Sequence, residues 1–374
     1  MVRLEPHTVS IVSVPVPIPV AIPATMPGVV LTGFGGPECL EWRDDLPVPP
    51  FGDGDVLVRV SAAGVNNTDV NTRVGWYSQT DDDDGSWSGG LTFPRVQGAD
   101  VCGHVVTVGS DVASTRVGER VLVEPCMSEV GGVELDPPWY LGSECDGGFA
   151  RYVAVSSRFA HCVDSRLTDA ELASFPCSYS TAENMLTRAG LRSGETVLIT
   201  GASGGVGSAA VQLAHARGAD VIALTSPSKA STVRDLGAAR TLDRDAVVTE
   251  ELGRNCVDVV VDLVGGPSWP TLLDVLRPGG RYAVSGAIAG PIVELDLRTL
   301  YLKDLTFVGC TVPDPGVFAR LVERIERGEV ASVVAATYPL REIGRAQEVF
   351  QTKAHVGKIV LTLDDLDDLD DLAD

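Results

Sequence analysis

Lysine is the charged residue that this chain uses least. Its lysines are Lys229, Lys303, Lys353 and Lys358, so arginine supplies nearly all of the positive charge. Basic residues number 29 against 51 acidic ones, which gives a formal net charge of −22 at pH 7. Nucleic acids and anionic membranes attract proteins through basic surface. The charge balance therefore argues against both of these partners and favours a small-molecule substrate.

Closely spaced cysteines and long uninterrupted apolar runs are also missing. The eight cysteines are scattered, and no pair has the C-x-x-C spacing of metal or redox motifs. We therefore expect reduced thiols and a cytoplasmic location. The apolar stretch 12–27 contains five prolines, which would break either a membrane-spanning helix or the helix of a signal peptide.

The length of 374 residues exceeds one ordinary core and predicts two domains. Short β runs separated by glycine turns come first, and alternating strands and helices follow, beginning with a helix expected over 169–189. Such alternation predicts a doubly wound parallel sheet. The boundaries we expect are a disordered or wrongly started extension at 1–26, a β-rich domain at 27–165, an α/β domain at 166–311, a segment at 312–363 that returns to the first domain, and a solvated acidic tail at 364–374.

The most specific motif joins an apolar strand at 196–200 to an amphipathic helix at 206–216 through a turn that is almost all glycine. Glycines at such a turn let backbone N–H groups and the helix N-terminus face a pyrophosphate. The fingerprint G-x-G-x-x-G is met with alanine in its first position, and no lysine follows, which excludes a nucleoside triphosphate loop. The residues expected to bind a dinucleotide here are Gly201, Ala202, Ser203, Gly204, Gly205, Val206 and Gly207.

The end of the next strand, 220–224, indicates which dinucleotide binds. NAD needs an acidic residue there to hold its ribose 2′-hydroxyl, and residues 225–229 contain none. The hydroxyl of Ser226 and the ammonium of Lys229 suit a 2′-phosphate, which predicts NADPH over NADH. The alternative is that both belong to an ordinary polar turn before a helix.

The chain resembles the medium-chain dehydrogenase/reductase superfamily, in its zinc-independent quinone oxidoreductase or zeta-crystallin-like branch. The resemblance covers about 26–363 and rests on the glycine-rich turn and on ordered motifs at 33–38, 63–69, 98–103, 118–121, 262–266, 276–281 and 355–361. It implies an α/β fold with a GroES-like β-rich catalytic domain, a doubly wound Rossmann domain, a cleft between them and a homodimer. We expect Val264, Gly286 and Ala287 to complete the cofactor site, with the nicotinamide near the last two.

Two of the three zinc ligands of the related alcohol dehydrogenases are missing. Where that branch has Cys in Gly-x-Cys-x-x-Asp, this chain has Asn66, and where it has Gly-His-Glu, this chain has Gly98-Ala99-Asp100. Cys177 alone matches the third ligand. One soft ligand cannot hold zinc, so we expect no metal.

Without zinc, a hydrogen-bond donor has to stabilise the negative charge that develops on the acceptor oxygen. The resemblance matches Tyr77 to a tyrosine that faces the nicotinamide, and Asn66 to an asparagine that replaces the zinc cysteine. The alternatives are a loop tyrosine packed near the cleft and an asparagine with a structural role in a turn. Residues 78–92 make this segment longer than its counterpart in the family. We expect them to form either a lid or a solvated insertion.

The sequence therefore predicts an NADPH-dependent reductase that transfers hydride to a quinone or an α,β-unsaturated carbonyl. A 2-enoyl thioester reductase is an alternative, which the lack of an evident basic patch disfavours. A relative of the zinc-type alcohol dehydrogenases and a non-catalytic NADPH-binding protein are the other two.

Overall fold

The computed structural model describes residues 22–77 and 91–363. The predictions for residues 1–21, for residues 78–90 of the 78–92 insertion and for the tail at 364–374 lie outside the described residues. Across the described ranges, no helix is both long enough and apolar enough to cross a membrane.

The first part of the chain is dominated by β-structure. Its central element is an eleven-residue strand, β3, which pairs antiparallel with two neighbours in the same part and buries most of its valines. The elements of this part are β1 (Thr25–Leu31), β2 (Leu40–Pro47), β3 (Asp55–Val65), α1 (Asn67–Arg73), β4 (Arg95–Val96), β5 (Asp100–Val108), β6 (Arg120–Val123), β7 (Cys126–Val130), β8 (Val133–Tyr140), β9 (Tyr152–Ser156) and β10 (Ala160–Cys162).

Strands and helices then alternate. The elements are α2 (Asp169–Leu172), α3 (Pro176–Arg188), β11 (Thr196–Ile199), α4 (Gly205–Ala216), β12 (Asp220–Thr225), α5 (Ala230–Asp235), β13 (Arg240–Asp243), α6 (Val248–Leu252), β14 (Val257–Asp262), α7 (Trp269–Val275), β15 (Leu276–Val284), α8 (Leu297–Leu302) and β16 (Thr306–Gly309). The strands form a six-stranded parallel sheet in the order β13-β12-β11-β14-β15-β16. This is the doubly wound order. The chain adds β12 and β13 on one side of β11, and then adds β14, β15 and β16 on its other side. The expected fold class is confirmed.

The helix expected over 169–189 is in fact two helices. Proline at 176 lacks the N–H that an uninterrupted helix would use, so α2 ends at Leu172 and α3 begins at Pro176. Thr168 caps α2, accepting the N–H of Glu171 at 3.3 Å. The break matters because it places Cys177 in the first turn of α3.

The last part of the chain comprises α9 (Val317–Glu326), β17 (Val334–Pro339), α10 (Ile343–Gln351) and β18 (Lys358–Thr362). Strand β18 pairs antiparallel with β3 and parallel with β17, so both extend the main sheet of the β-rich part. The loop before β18 therefore lies where the β-rich part meets the parallel sheet.

Candidate active site

The glycine-rich turn lies at the carboxyl end of β11, where the strand order reverses. Gly201 has a φ of 57°, a left-handed conformation that favours glycine. A Cβ on Gly207 would overlap the Gly201 carbonyl, so glycine is required for α4 to start this close to the strand. Ala202, the departure from the fingerprint, is fully buried in the core, and its N–H donates to the Leu224 carbonyl at 3.1 Å. The first N–H groups of α4 lack intrahelical acceptors, as at any helix start, which suits a pyrophosphate.

The loop before β18 contacts this turn. The Gly357 N–H donates to the Ser203 carbonyl at 2.9 Å, and Gly204 and Gly357 form an isolated bridge. The side chain of Lys358 packs directly against Gly205. The sequence did not predict this contact, which brings the loop before β18 beside the glycine-rich turn.

Asp262, at the end of β14, organises the neighbouring loops. Its buried carboxylate accepts hydrogen bonds from the hydroxyls of Thr200 and Tyr282, both at 2.6 Å, and from the Val264 N–H at 2.9 Å. Sequence reasoning placed Asp262 in a family motif but gave it no role. It fixes the loops that follow β11 and β14 relative to each other.

The three residues expected to complete the cofactor site lie on adjacent loops. The Ala289 N–H donates to the Val264 carbonyl at 2.9 Å, which joins the loop after β15 to the loop after β14. Gly286 and Ala287 line a cavity of about 290 Å³. Its aromatic lining comes from Trp269, Tyr282 and Phe307. The structure thus brings Val264, Gly286 and Ala287 to the same edge of the sheet as the glycine-rich turn.

Ser226 and Lys229 follow β12, the strand next to β11 in the sheet. Ser226 Oγ lies 3.3 Å from Ser228 Oγ, and Lys229 Nζ donates to the Lys353 carbonyl at 2.5 Å. Burial, with the charge of Arg244, lowers the pKa of Lys229. Both residues therefore lie just after the carboxyl end of β12, and their role at the ribose end of the dinucleotide stays a prediction.

On the β-rich side, a buried ion pair joins Lys358 to Asp100. Lys358 Nζ lies 2.7 Å from Asp100 Oδ2, and both side chains are almost completely buried. The ammonium also donates to Asn66 Oδ1 at 2.5 Å and to the Val65 carbonyl at 2.9 Å. Asp100 Oδ1 accepts the N–H of Cys177 at 2.5 Å. This hub, made of Lys358, Asp100 and Asn66, ties the ends of β3, β5, α3 and β18 together.

The three positions considered for zinc ligands are Asn66, Ala99 and Cys177; Asn66 belongs to the hub, and the other two adjoin Asp100. Ala99 supplies no ligand atom, and the carbonyl oxygen of Asn66 already accepts a bond from the ammonium of Lys358. Among residues 22–77 and 91–363, no three His, Cys, Asp or Glu side chains gather in an arrangement that could hold a metal ion. A single thiol beside a fixed ammonium does not fit a zinc centre.

Asn66 precedes α1, and its own backbone N–H donates to Asp69 Oδ2 at 2.7 Å. Its side-chain amide donates to Asp100 Oδ2 at 2.9 Å and to the Gly64 carbonyl at 3.3 Å. A substrate that accepts a hydrogen bond from this amide has to displace the longer of these two bonds. Burial raises the pKa of Asp69 to about 7.

The Tyr77 hydroxyl is held only loosely by the protein. It donates to Thr68 Oγ1 and accepts from Asn71 Nδ2, each at 3.4 Å, so the ring folds back over α1. Burial raises the pKa of Tyr77, which keeps the phenol protonated at neutral pH. Two long bonds leave this hydroxyl able to turn toward an acceptor.

A second tyrosine, on the β7–β8 hairpin, contacts Cys177 beside the hub. Sequence reasoning missed it. The Tyr140 hydroxyl lies 3.3 Å from Cys177 Sγ. Burial raises the pKa of Cys177 to about 12 and that of Tyr140 well above its ordinary value, so both groups stay neutral. No local signal marks Tyr140, because the contact depends on how the hairpin packs against α3.

Two protein families match the chain. Residues 52–165 match the family described as alcohol dehydrogenase GroES-like domain, and residues 205–327 match the one described as zinc-binding dehydrogenase. A solved structure from Sinorhizobium meliloti, provisionally assigned as an alcohol dehydrogenase, is 48% identical, with a TM-score of 0.85 over 91% of this chain and 97% of its own.

Three characterised relatives match most of the chain. The acryloyl-coenzyme A reductase of Metallosphaera sedula is 31% identical over 90% of this chain and 100% of its own length. The quinone oxidoreductase of Homo sapiens is 27% identical over 88% of this chain and 95% of its own. The chloroplastic NADPH-dependent alkenal/one oxidoreductase of Arabidopsis thaliana is 30% identical over 91% of this chain and 80% of its own.

Proposed function

Since the chain belongs to the medium-chain dehydrogenase/reductase superfamily, in its quinone oxidoreductase-like branch, we propose that it is a zinc-independent, NADPH-dependent reductase of quinones or α,β-unsaturated carbonyls. Its membership in an oxidoreductase family that uses a nicotinamide cofactor is established by these relatives. The acceptor, the choice of NADPH and the independence from zinc are the proposed parts.

The observation that carries the proposal is the hub of Lys358, Asp100 and Asn66. Because an ammonium rather than a metal ion lies among these residues, the group that polarises the acceptor oxygen has to be a hydrogen-bond donor. Tyr77 is the donor we assign, since its hydroxyl is protonated and weakly engaged. The hub holds α1, and with it Thr68 and Asn71, in the place from which Tyr77 acts.

When bound, the nicotinamide supplies the hydride. The glycine-rich turn would hold the pyrophosphate, and Val264, Gly286 and Ala287 would flank the nicotinamide. Tyr77 Oη would donate a hydrogen bond to the acceptor oxygen as negative charge builds there, and we assign Asn66 to the same pocket. The hydride and one proton from solvent together add two electrons and two protons to the acceptor, whether it is a quinone or an enone.

A 2-enoyl thioester reductase is the second candidate. The acryloyl-coenzyme A reductase supports it, because this chain spans the whole length of that relative. The overall acidity of the chain disfavours the basic patch that such a substrate would need, although Lys229 and Lys353 lie together near the end of β12. The acceptor screen therefore includes a thioester.

The test is an NADPH oxidation assay with a quinone, an enone, crotonyl-CoA and an aldehyde. We expect Tyr77→Phe to lower kcat about 100-fold without changing the affinity for NADPH, the loss typical of one oxyanion donor. Tyr338→Phe, a change to a half-buried tyrosine of β17, is the matched control and should keep full activity. Full activity of Tyr77→Phe would overturn the role of the tyrosine. Stoichiometric zinc, or NADPH binding without oxidation of any acceptor, would overturn the proposed function.

We further propose a homodimer formed through the β16 edge of the parallel sheet, working in the cytoplasm. Strand β16 is the last strand of the parallel sheet among the described residues, and its Phe307 is partly exposed, as are Ile292, Tyr301 and Leu302 earlier in the chain. A strand edge with exposed apolar residues suits a second copy of the chain. All eight cysteines are free thiols, in keeping with a reducing compartment.

A further inference from the structure

The Tyr140 hydroxyl contacts a sulfur atom, whereas two other enclosed tyrosines of the chain contact oxygen. The hydroxyls of Tyr179 and Tyr282 each donate at 2.6 Å, the first to a backbone carbonyl and the second to a carboxylate. The Tyr140 hydroxyl instead lies 3.3 Å from Cys177 Sγ. A thiol is a weak hydrogen-bond acceptor. The donor capacity of Tyr140 is therefore left for a stronger acceptor, such as an oxygen atom of a substrate.

The backbone around Tyr140 is held in place by several bonds. Its N–H donates to Glu144 Oε2 at 2.9 Å, and the N–H of Leu141 donates to the Pro125 carbonyl at 2.8 Å. The side chain of Glu144 is buried, and Tyr140 pairs with Cys126 in the register of β7 and β8. The hydroxyl is thus presented from a fixed backbone, as a donor that has to be ready for a substrate requires.

The partner of Tyr140, Cys177, lies where the hub meets the glycine-rich turn. The Cys177 N–H donates to Asp100 of the hub. The side chain of the next residue, Ser178, packs against Gly205 in the first turn of α4. The contact between Tyr140 and Cys177 is therefore next to the region in which we place the cofactor and the acceptor.

Tyr77 lies near the same thiol. Burial raises the pKa of both Tyr77 and Tyr140, and a charge on Cys177 would add to the rise in each. Coulomb interactions weaken with distance, so this shared effect indicates that Cys177 is close to both hydroxyls. Tyr77 follows α1, and Tyr140 ends β8. Two protonated phenols thus approach one place from different parts of the chain.

We propose that Tyr140 is a second hydrogen-bond donor to the acceptor oxygen, acting beside Tyr77. This inference rests on the proposed function and adds a residue of the β7–β8 hairpin to the site. The Tyr140 hydroxyl turns from Cys177 Sγ to the oxygen on which negative charge builds, and so exchanges a weak bond for a charge-assisted one. Both phenols keep their protons. Two donors on one oxygen supply the stabilisation that a Lewis acid supplies in a metal enzyme.

The test measures NADPH oxidation by the full chain with a quinone and with an enone. We expect Tyr140→Phe to lower kcat about 10- to 100-fold, the loss of one donor to a charged oxygen, while the KM for NADPH stays within about twofold. The variant keeps the aromatic ring, so its thermal unfolding should match that of the wild type. Tyr338→Phe, in β17, is the matched control and should keep full activity.

A double variant separates donation from positioning. If both hydroxyls donate to the oxygen, adding Tyr140→Phe to Tyr77→Phe should lower kcat about tenfold further. If Tyr140 only holds Tyr77 in place, the double variant should be as active as Tyr77→Phe alone. That result would overturn Tyr140 as a second donor.

The other outcomes overturn distinct parts. If the wild type reduces either acceptor and Tyr140→Phe keeps full activity, the role of Tyr140 is wrong while the proposed function stands. If Tyr140→Phe changes only the KM for NADPH, the hydroxyl serves the cofactor, and our assignment to the acceptor is overturned. If the wild type oxidises NADPH with neither acceptor, the proposed function is wrong, and the assignment of Tyr140 fails with it.

Discussion

Removing the ammonium from the hub should destabilise the fold more than any surface change. In Lys358→Met, the buried carboxylate of Asp100 would keep its bonds to Asn66 Nδ2 and the Cys177 N–H but lose its counter-ion at 2.7 Å. The acceptor oxygens of Val65 and Asn66 would lose their donor as well. Breaking a buried pair from one side costs about 3–5 kcal/mol, because an uncompensated charge stays behind.

Chemical denaturation followed by intrinsic fluorescence measures this loss. A matched surface control is Arg240→Met, which removes an ion pair with Glu251 whose partners are both about half exposed, 47% and 49%. That change should cost less than about 1 kcal/mol. The double variant Lys358→Met with Asp100→Asn should be less destabilised than the sum of the single changes, with a coupling of about 1–3 kcal/mol.

Additive single effects would refute the reasoning. Were Lys358→Met to lose no more unfolding free energy than Arg240→Met, the carboxylate of Asp100 would not depend on the ammonium. The hub could then not be what holds α1 in place, and the assignment of Tyr77 would lose its structural basis. Equal losses of unfolding free energy in Lys358→Met and Arg240→Met would therefore contradict the proposed role of the hub.

Three further outcomes can be measured. Asp69 has a raised pKa of about 7 in the folded chain, so as the pH rises the unfolded chain loses this proton first. The free energy of unfolding should therefore fall between about pH 4 and 7, by on the order of 4 kcal/mol. Urea titrations at several pH values should find this part of the fall missing in Asp69→Asn. Lys353→Gly should be more stable than Lys353→Ala by about 1 kcal/mol in thermal unfolding, because only alanine keeps a Cβ at a φ of 52°; the ordinary order, with alanine the more stable, would contradict the strain. Phe307→Lys should shift the chain from dimer to monomer in sedimentation velocity, whereas Phe51→Lys, at an equally exposed phenylalanine of the β-rich part, should not; a dimer in both variants would rule out the β16 edge.

Local patterns predicted the elements on either side of the glycine-rich turn well. The strand expected at 196–200 is β11, at Thr196–Ile199, and the helix expected at 206–216 is α4, at Gly205–Ala216. Apolar periodicity and the glycines act within a few residues of each other there, so the sequence carries the information locally. Ser226 and Lys229 follow their strand as the sequence predicted, while their role as phosphate ligands stays a prediction.

Other elements were hidden by their composition. Strand β8 contains Pro137 and Pro138, which weaken any strand signal, yet the β7–β8 pair stands apart from the larger sheets and tolerates them. Strand β17, at the edge of its sheet, alternates between half-buried and exposed residues and has a weak apolar pattern. Tyr140, at the end of β8, could not be found without the hairpin that carries it.

The hub was out of reach for a different reason. Lys358 and Asp100 are 258 positions apart, and neither carries a spacing that points to the other. The sequence placed Lys358 in a family motif and Asp100 beside the missing zinc ligand at Ala99, but the ion pair exists only because β18 returns to β3. Contacts made by chain topology rather than by local pattern need the structure.

The few lysines of this chain occupy a different kind of position from its arginines. In the described residues every lysine ammonium donates to a carbonyl or amide oxygen, whereas the ion pairs at the surface are made by arginine. A compact ammonium with three donors fits between three oxygens, as Lys358 does, where the planar fork of a guanidinium would not. Arginine can therefore supply solubility and surface pairing, while lysine is kept for enclosed positions.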